Sequence, residues 1–157
     1  MKDRFQALMG EIATAVAGRP VDESLKAFLD ERFPADGPVF AEIERLIPQA
    51  VEAGWMCERE HGGIRYGRVV EASDALAGFS VDVVRMEDVV GPKHRHPNGE
   101  IDMIMPITPG AKFDGHGHGW WVYGPDSAHH PTLTEGTAFV LYLLPGGAIE
   151  FIREPKK

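Results

Sequence analysis

Six of the seven histidines, His94, His96, His116, His118, His129 and His130, fall within the 37 residues from 94 to 130. Even scatter along the 157 residues would put only one or two there. His94 and His96 flank Arg95, and a strand alternates its faces with period two, so both imidazoles are expected on one side and Arg95 on the other. Glu100 follows after Pro97, Asn98 and Gly99, a turn sequence that can bring its carboxylate back toward the two rings. His130 lies further along, beyond Gly119 and Pro125. Its neighbour His129 is expected to face the other way and stands as a substitute for it. Imidazoles grouped with a carboxylate can bind divalent metals or move protons near neutral pH.

Other groups nearby could complete a site. His116 and His118 form a second His-x-His within a glycine-rich run, which keeps their rings accessible, and His116 is the candidate acid or base there. Glu100 and Asp102 share strand parity, and two carboxylates in a dry pocket push one pKa up and create an acid. Candidate catalytic groups are therefore Glu100, His116 and Asp102. Trp120, Trp121, Tyr123 and Phe113 supply aromatic surface, of which Trp121 and Tyr123 are the candidates to hold a flat ring. Lys93, Arg65, Arg68 and Arg95 are the cations that could meet an anionic group. Arg95 is the candidate of the four for substrate binding, although a regular strand turns it away from His94 and His96.

The elements that must position these residues change character along the chain. Phe5, Leu8, Met9, Ile12 and Val16 recur at helical spacing, and Gly18 and Pro20 end that helix. Asp22 is placed to cap a second helix bearing Leu25, Phe28, Leu29 and Phe33. A third is expected from Pro38, with Phe40, Ile43, Ile47 and Val51 on one face, a kink or restart at Pro48, and Gly54 at its end. Beyond Gly62 and Gly63, short runs rich in Val, Ile and aromatics alternate with Gly, Pro, Asp and Asn. Strands are expected at Ile64–Glu71, Gly78–Met86, Glu100–Pro106, Trp120–Tyr123, Thr137–Leu143 and Ala148–Arg153. Residues 1–57 then form a helical segment packed on a β unit, 58–157, without a linker between them.

Composition bounds the partners. Sixteen Lys and Arg stand against 24 Asp and Glu, a net charge of −8 with no block of either sign, which argues against nucleic acid or an anionic membrane surface. No apolar run reaches the roughly 20 residues of a membrane helix. The opening MKDRFQALMGEIATAVAG, with Asp3 and Glu11 inside it, is a poor signal peptide. Cys57 is the single cysteine, so no intramolecular disulfide can form, and a cytoplasmic protein is expected.

His94, His96 and Glu100 in an HxHxxxE pattern, then Gly119, Pro125 and His130, resemble the two motifs of the cupin superfamily over about residues 64–152. Gly91 lies closer to His94 than the usual glycine, Ser127 replaces a glycine, and Thr134 stands where asparagine is common. The resemblance implies a mainly β fold, a double-sheet β-barrel of jelly-roll type. It also implies a divalent metal held by His94, His96, Glu100 and His130. Three imidazoles and a carboxylate suit Mn, Fe, Co, Ni, Cu or Zn and leave positions open for substrate or water.

The stretch from His94 to Phe151, preceded by about 60 helical residues, is similar more narrowly to the 4-hydroxylaminobenzoate lyases. That likeness implies conversion of 4-hydroxylaminobenzoate, a small aromatic carboxylate, to protocatechuate with release of ammonia, and cupins commonly pair as homodimers. The alternatives within the superfamily are a metal-dependent dioxygenase and a non-catalytic module that binds a small molecule.

Overall fold

A computed structural model describes residues 1–153. Its first third is helical: α1 spans Lys2–Val16, α2 Glu23–Arg32 and α3 Pro38–Glu52. Asp22 caps α2 as expected, its carboxylate accepting from the Ser24 N–H at 2.9 Å. Helix α3 continues unbroken past Pro48, which lies on the exposed side while Ile43, Ile47 and Ala50 are buried. Burial of that apolar face outweighs the one hydrogen bond proline removes. Past its end Gly54 adopts φ +87°, and the N–H groups of Gly54 and Trp55 return to the carbonyls of Val51 and Ala50, which closes the last turn.

The remainder is β structure. Strands β1 (Arg59–His61), β2 (Ile64–Val70), β3 (Phe79–Val90), β4 (His94–His96), β5 (Glu100–Pro106), β6 (Lys112–Phe113), β7 (Gly119–Tyr123), β8 (Ser127–His129), β9 (Thr132–Pro145) and β10 (Glu150–Phe151) follow in order. They form two antiparallel sheets: β1-β2-β3-β9-β5-β7, with β6 also on β9, and the smaller β10-β4-β8. This is the mainly β, double-sheet architecture that the cupin resemblance implies. Strands β3 and β9 each run well past their expected ends because they pair with one another along most of their length.

Both faces of the large sheet are covered, which explains runs such as FVLYLL that do not alternate with polar residues. Val81, Val83, Ile101, Met103, Leu141 and Leu143 meet the helices through Phe5, Ile12, Phe40 and Ile47. Trp120 of β7 ties the layers together by donating its indole N–H to the Phe33 carbonyl at 2.8 Å. The opposite face carries Val84, Met86, Ile104, Val140 and Leu144 in the interior between the sheets. Among the described residues no helix is long and apolar enough to cross a membrane.

Candidate metal centre

The centre lies where the small sheet meets the start of β5. Pairing of β4 with β8 sets His94 opposite His129 and His96 opposite Ser127, so all four side chains share one face. After His96 the chain turns through Gly99, at φ +91°, where any Cβ would stand 2.8 Å from the Tyr123 carbonyl. Only glycine allows that approach, and it delivers Glu100 to the same face. His96 Nε2 is then 3.2 Å from Glu100 Oε1, His94 Nε2 is 3.9 Å from it, and His129 Nε2 is 3.9 Å from Oε2. One ligand atom from each of His94, His96, Glu100 and His129 lies within 4.8 Å of all the others.

Surrounding hydrogen bonds aim these atoms. The Ser127 hydroxyl donates to the Gly124 carbonyl at 2.7 Å, so its oxygen is left to accept from His96 Nδ1 at 2.9 Å. Asp114 Oδ2 accepts from His129 Nδ1 at 2.5 Å. In both rings the proton therefore resides on Nδ1, and the Nε2 lone pair points into the cluster. His129 Nε2 and His94 Nε2 face each other at 3.1 Å. Both Glu100 oxygens and His96 Nε2 are buried without a hydrogen-bond partner. Three lone pairs and a carboxylate converging on one point call for a cation, and a divalent metal ion fits that donor set.

Electrostatics agree with that geometry. Burial pushes the His94 pKa down to about 4, against the pull of Glu100, so the ring is neutral at pH 7. Burial works against ionising Glu100, yet His96 beside it and His94 behind it hold its carboxyl below the ordinary range. Asp102, also fully buried, is held well above that range by burial and then by the Glu100 charge. The two carboxyls are thus split into an anion and an acid, as their shared parity predicts.

The structure places His129, rather than His130, in the cluster. The physical reason is the end of β8 at His129: Pro131 follows, and His130 turns its Nδ1 toward the Gly91 carbonyl at 3.1 Å. His129 is the member of the pair that β4 faces in register. The motif spacing that implies His130 points one residue too far, because His130 lies beyond the end of the strand. Pro131 is the signal in the sequence that could have corrected it. Asp114 and Ser127, which orient the ligands, carry no comparable signal, since their contacts come from separate segments.

The remaining candidates fall in distinct places. Tyr123 stands against the cluster, its ring centroid 4.6 Å from that of His129, and donates its hydroxyl to Asp114 at 2.6 Å. Trp121 lies under His116, whose ring stacks on it at 3.4 Å, and neither belongs to the four-residue group. His118 reaches across to Glu44 of α3 at 3.0 Å. Arg95 faces away from the imidazoles, its guanidinium bound to Glu150 at 2.7 Å and to Asp126. A cavity of about 760 Å³ opens beside His94 between β2, β3 and β10, and it includes Arg68, Tyr66 and Tyr142 but not Arg95, Trp121 or Tyr123.

A family model, PnbB: 4-hydroxylaminobenzoate lyase, matches residues 7–151. A 4-hydroxylaminobenzoate lyase of Nocardioides sp. (strain LMS-CY) is 31% identical over 142 residues, covering 85% of this chain and 84% of its own. Another, of Pseudomonas putida, is 26% identical, covering 96% and 95%. Among solved structures, an RmlC-like cupin protein from Ralstonia eutropha JMP134 is 10% identical, covering 64% of this chain and 67% of that one at a TM-score of 0.48.

Proposed function

The chain belongs to the 4-hydroxylaminobenzoate lyase family, and from that premise we propose that its substrate is 4-hydroxylaminobenzoate, converted with one water to protocatechuate and ammonia. The observation that supports this site for the reaction is the convergence of His94, His96, Glu100 and His129, of which His94 lines a cavity large enough for a substituted benzene ring. In this reading the four side chains hold a divalent metal of the Mn, Fe, Co, Ni or Zn class. Bound there, it would supply Lewis acidity toward the departing oxygen and lower the pKa of a coordinated water.

The overall change balances without an oxidant. The N–O bond breaks with its electron pair leaving on oxygen, which departs as water once protonated. A first water adds to the ring carbon beside the one bearing nitrogen. A second water displaces that nitrogen as ammonia, and loss of the ring proton restores aromaticity. One water leaves and two enter, which gives the net hydrolytic stoichiometry.

The chain's own groups suit these proton transfers. Asp102 is held protonated behind Glu100 and can supply the proton the departing oxygen needs. Glu100, kept ionised, can take one from an incoming water. The Tyr123 phenol, whose pKa burial and Asp114 push far up, stays a hydrogen-bond donor and shields the His96 and His129 rings. His116 stays in reserve over Trp121, its pKa lowered by burial. Pairing of two copies and a cytoplasmic setting belong to the same proposal, supported by exposed Phe151 in the edge strand β10 with Ile152 just after it, and by the single buried Cys57.

The test is elemental analysis of the purified protein together with turnover of 4-hydroxylaminobenzoate, with His94→Ala and His129→Ala beside the native chain. Bound metal near one per chain, protocatechuate and ammonia in equal amounts, and loss of both metal and turnover in the variants are expected. Full activity in both variants would remove the metal centre from the reaction. Absence of protocatechuate from folded, metal-loaded protein would remove the substrate.

A further inference from the structure

We infer that Arg68 anchors the carboxylate of the substrate in the cavity that His94 also lines; this rests on the aryl-carboxylate reading above. Two guanidinium groups line the cavity, Arg59 and Arg68. Arg59 lies on the edge strand β1 and is exposed. Arg68 is fixed. Its Nε and Nη2 lie 3.1 and 3.3 Å from the two oxygens of Asp82, and Nη2 also donates to the Gly147 carbonyl at 3.1 Å.

Those partners occupy one edge of the fork and leave Nη1. The acceptor that Nη1 has is Glu71 Oε2, at 3.5 Å on a side chain 81% exposed. Glu71 is thus a loosely held carboxylate standing where an external one would bind. The space around Nη1 is also kept open: at Gly147, φ +67°, a Cβ would come within 2.9 Å of it. A planar, fixed guanidinium with one nitrogen left toward a cavity suits a carboxylate better than a flexible ammonium does.

Besides the carboxylates of Glu58, Glu71 and Asp82, the lining that Arg68 shares with His94 includes the aromatic and apolar side chains of Tyr66, Val84, Tyr142 and Ile149. A benzene ring carrying a carboxylate at one end and nitrogen at the other would present the nitrogen to the metal centre when its carboxylate is at Arg68. A neutral arylhydroxylamine would lack the first contact. Arg68 is therefore a specificity-determining residue for the acid.

The test compares 4-hydroxylaminobenzoate with phenylhydroxylamine, its analogue without the carboxylate, in the native protein, Arg68→Met, Arg68→Lys, Arg59→Met and Glu71→Gln. Binding of protocatechuate by calorimetry is measured alongside, since it does not depend on turnover. A charge-assisted contact of this kind predicts a preference for the acid, as a ratio of kcat/KM, that falls about 10- to 100-fold in Arg68→Met, mainly through KM. Arg68→Lys should retain part of it. Glu71→Gln, at an exposed position that does not threaten the fold, should lower KM for the acid about 2- to 5-fold by removing the competing carboxylate.

An unchanged ratio in Arg68→Met, a raised KM in Glu71→Gln, or loss of the preference in Arg59→Met instead would overturn the assignment. If the native protein turns over neither compound yet binds protocatechuate only with Arg68 present, the reaction reading fails and the anchor stands. No binding of protocatechuate by the native protein overturns the anchor itself.

Discussion

Asp114 holds His129 by its far nitrogen: Asp114 Oδ2 accepts from His129 Nδ1 at 2.5 Å, which turns the opposite nitrogen toward His94 and Glu100. The same carboxylate accepts the Tyr123 hydroxyl, and its other oxygen takes the Thr132 N–H at 2.8 Å. Burial works to raise its pKa, but His129 and Tyr123 outweigh that and hold it below the ordinary range. Asp114→Asn keeps the shape but replaces an acceptor that fixes the tautomer. It should weaken metal affinity about 10- to 100-fold while leaving the circular dichroism spectrum intact. Competition with a chelator of known affinity measures it, and native affinity in the variant would show that Asp114 does not orient the ring.

The adjacent histidines should behave differently. His129→Ala removes a member of the cluster and should abolish stoichiometric metal binding. His130→Ala removes a ring directed at the Gly91 carbonyl and should leave most of the metal bound. Metal content of the two purified variants, measured side by side, decides it. The reverse pattern would return the fourth ligand to His130.

Acidification should destabilise the metal-free protein through His94. Unfolded, this imidazole takes a proton near pH 6.5, whereas in the fold burial delays it to about 4. Between those values the unfolded chain binds more protons, so stability falls as pH drops from 6.5 to 4, by on the order of 3 kcal/mol for this group alone. Urea unfolding of chelator-treated protein at pH 7, 5.5 and 4.5 should show midpoints moving steadily downward. A midpoint that rises on acidification contradicts a neutral buried His94.

Cys57 should be inert. Its thiol is buried, with Sγ 3.6 Å from the Val83 carbonyl, and burial pushes its pKa up to about 11. At pH 8 almost none is thiolate, the reactive form. A disulfide-exchange reagent should label the native protein far more slowly than the urea-unfolded chain. Equal rates would place the thiol at the surface.

Trp120→Phe should separate stability from chemistry. It keeps a large ring between the sheet and the helices but strands the buried Phe33 carbonyl. A loss of about 1 to 3 kcal/mol in urea unfolding is expected, with metal stoichiometry unaltered. A metal-poor variant would mean that the helical layer helps set the centre.

Much of this protein was legible in the order of its residues. The cap at Asp22, the helix start at Pro38, the change to β structure after Gly62 and Gly63, and the shared face of His94 and His96 all follow from local rules, because capping, turns and strand parity act over a few residues. Residue spacing was enough to bring Glu100 back across the turn at Gly99.

What only the tertiary structure decided depends on pairing between distant segments. β4 selects His129 because the strand register, ended by Pro131, puts that residue opposite His94, and nothing in the dipeptide His129-His130 reveals the choice. Arg95 is taken up by Glu150 and Asp126, and Arg68 by Asp82, through contacts that close more than ten residues apart in the chain. Asp114, just past β6, becomes the orienting carboxylate because the fold brings it against His129 at the end of β8 and the Thr132 N–H at the start of β9. The types of group available for chemistry were written in the sequence; which lone pairs converge, which cation faces the cavity and which carboxyl keeps its proton were fixed by burial and register, which exist only once the sheets have closed.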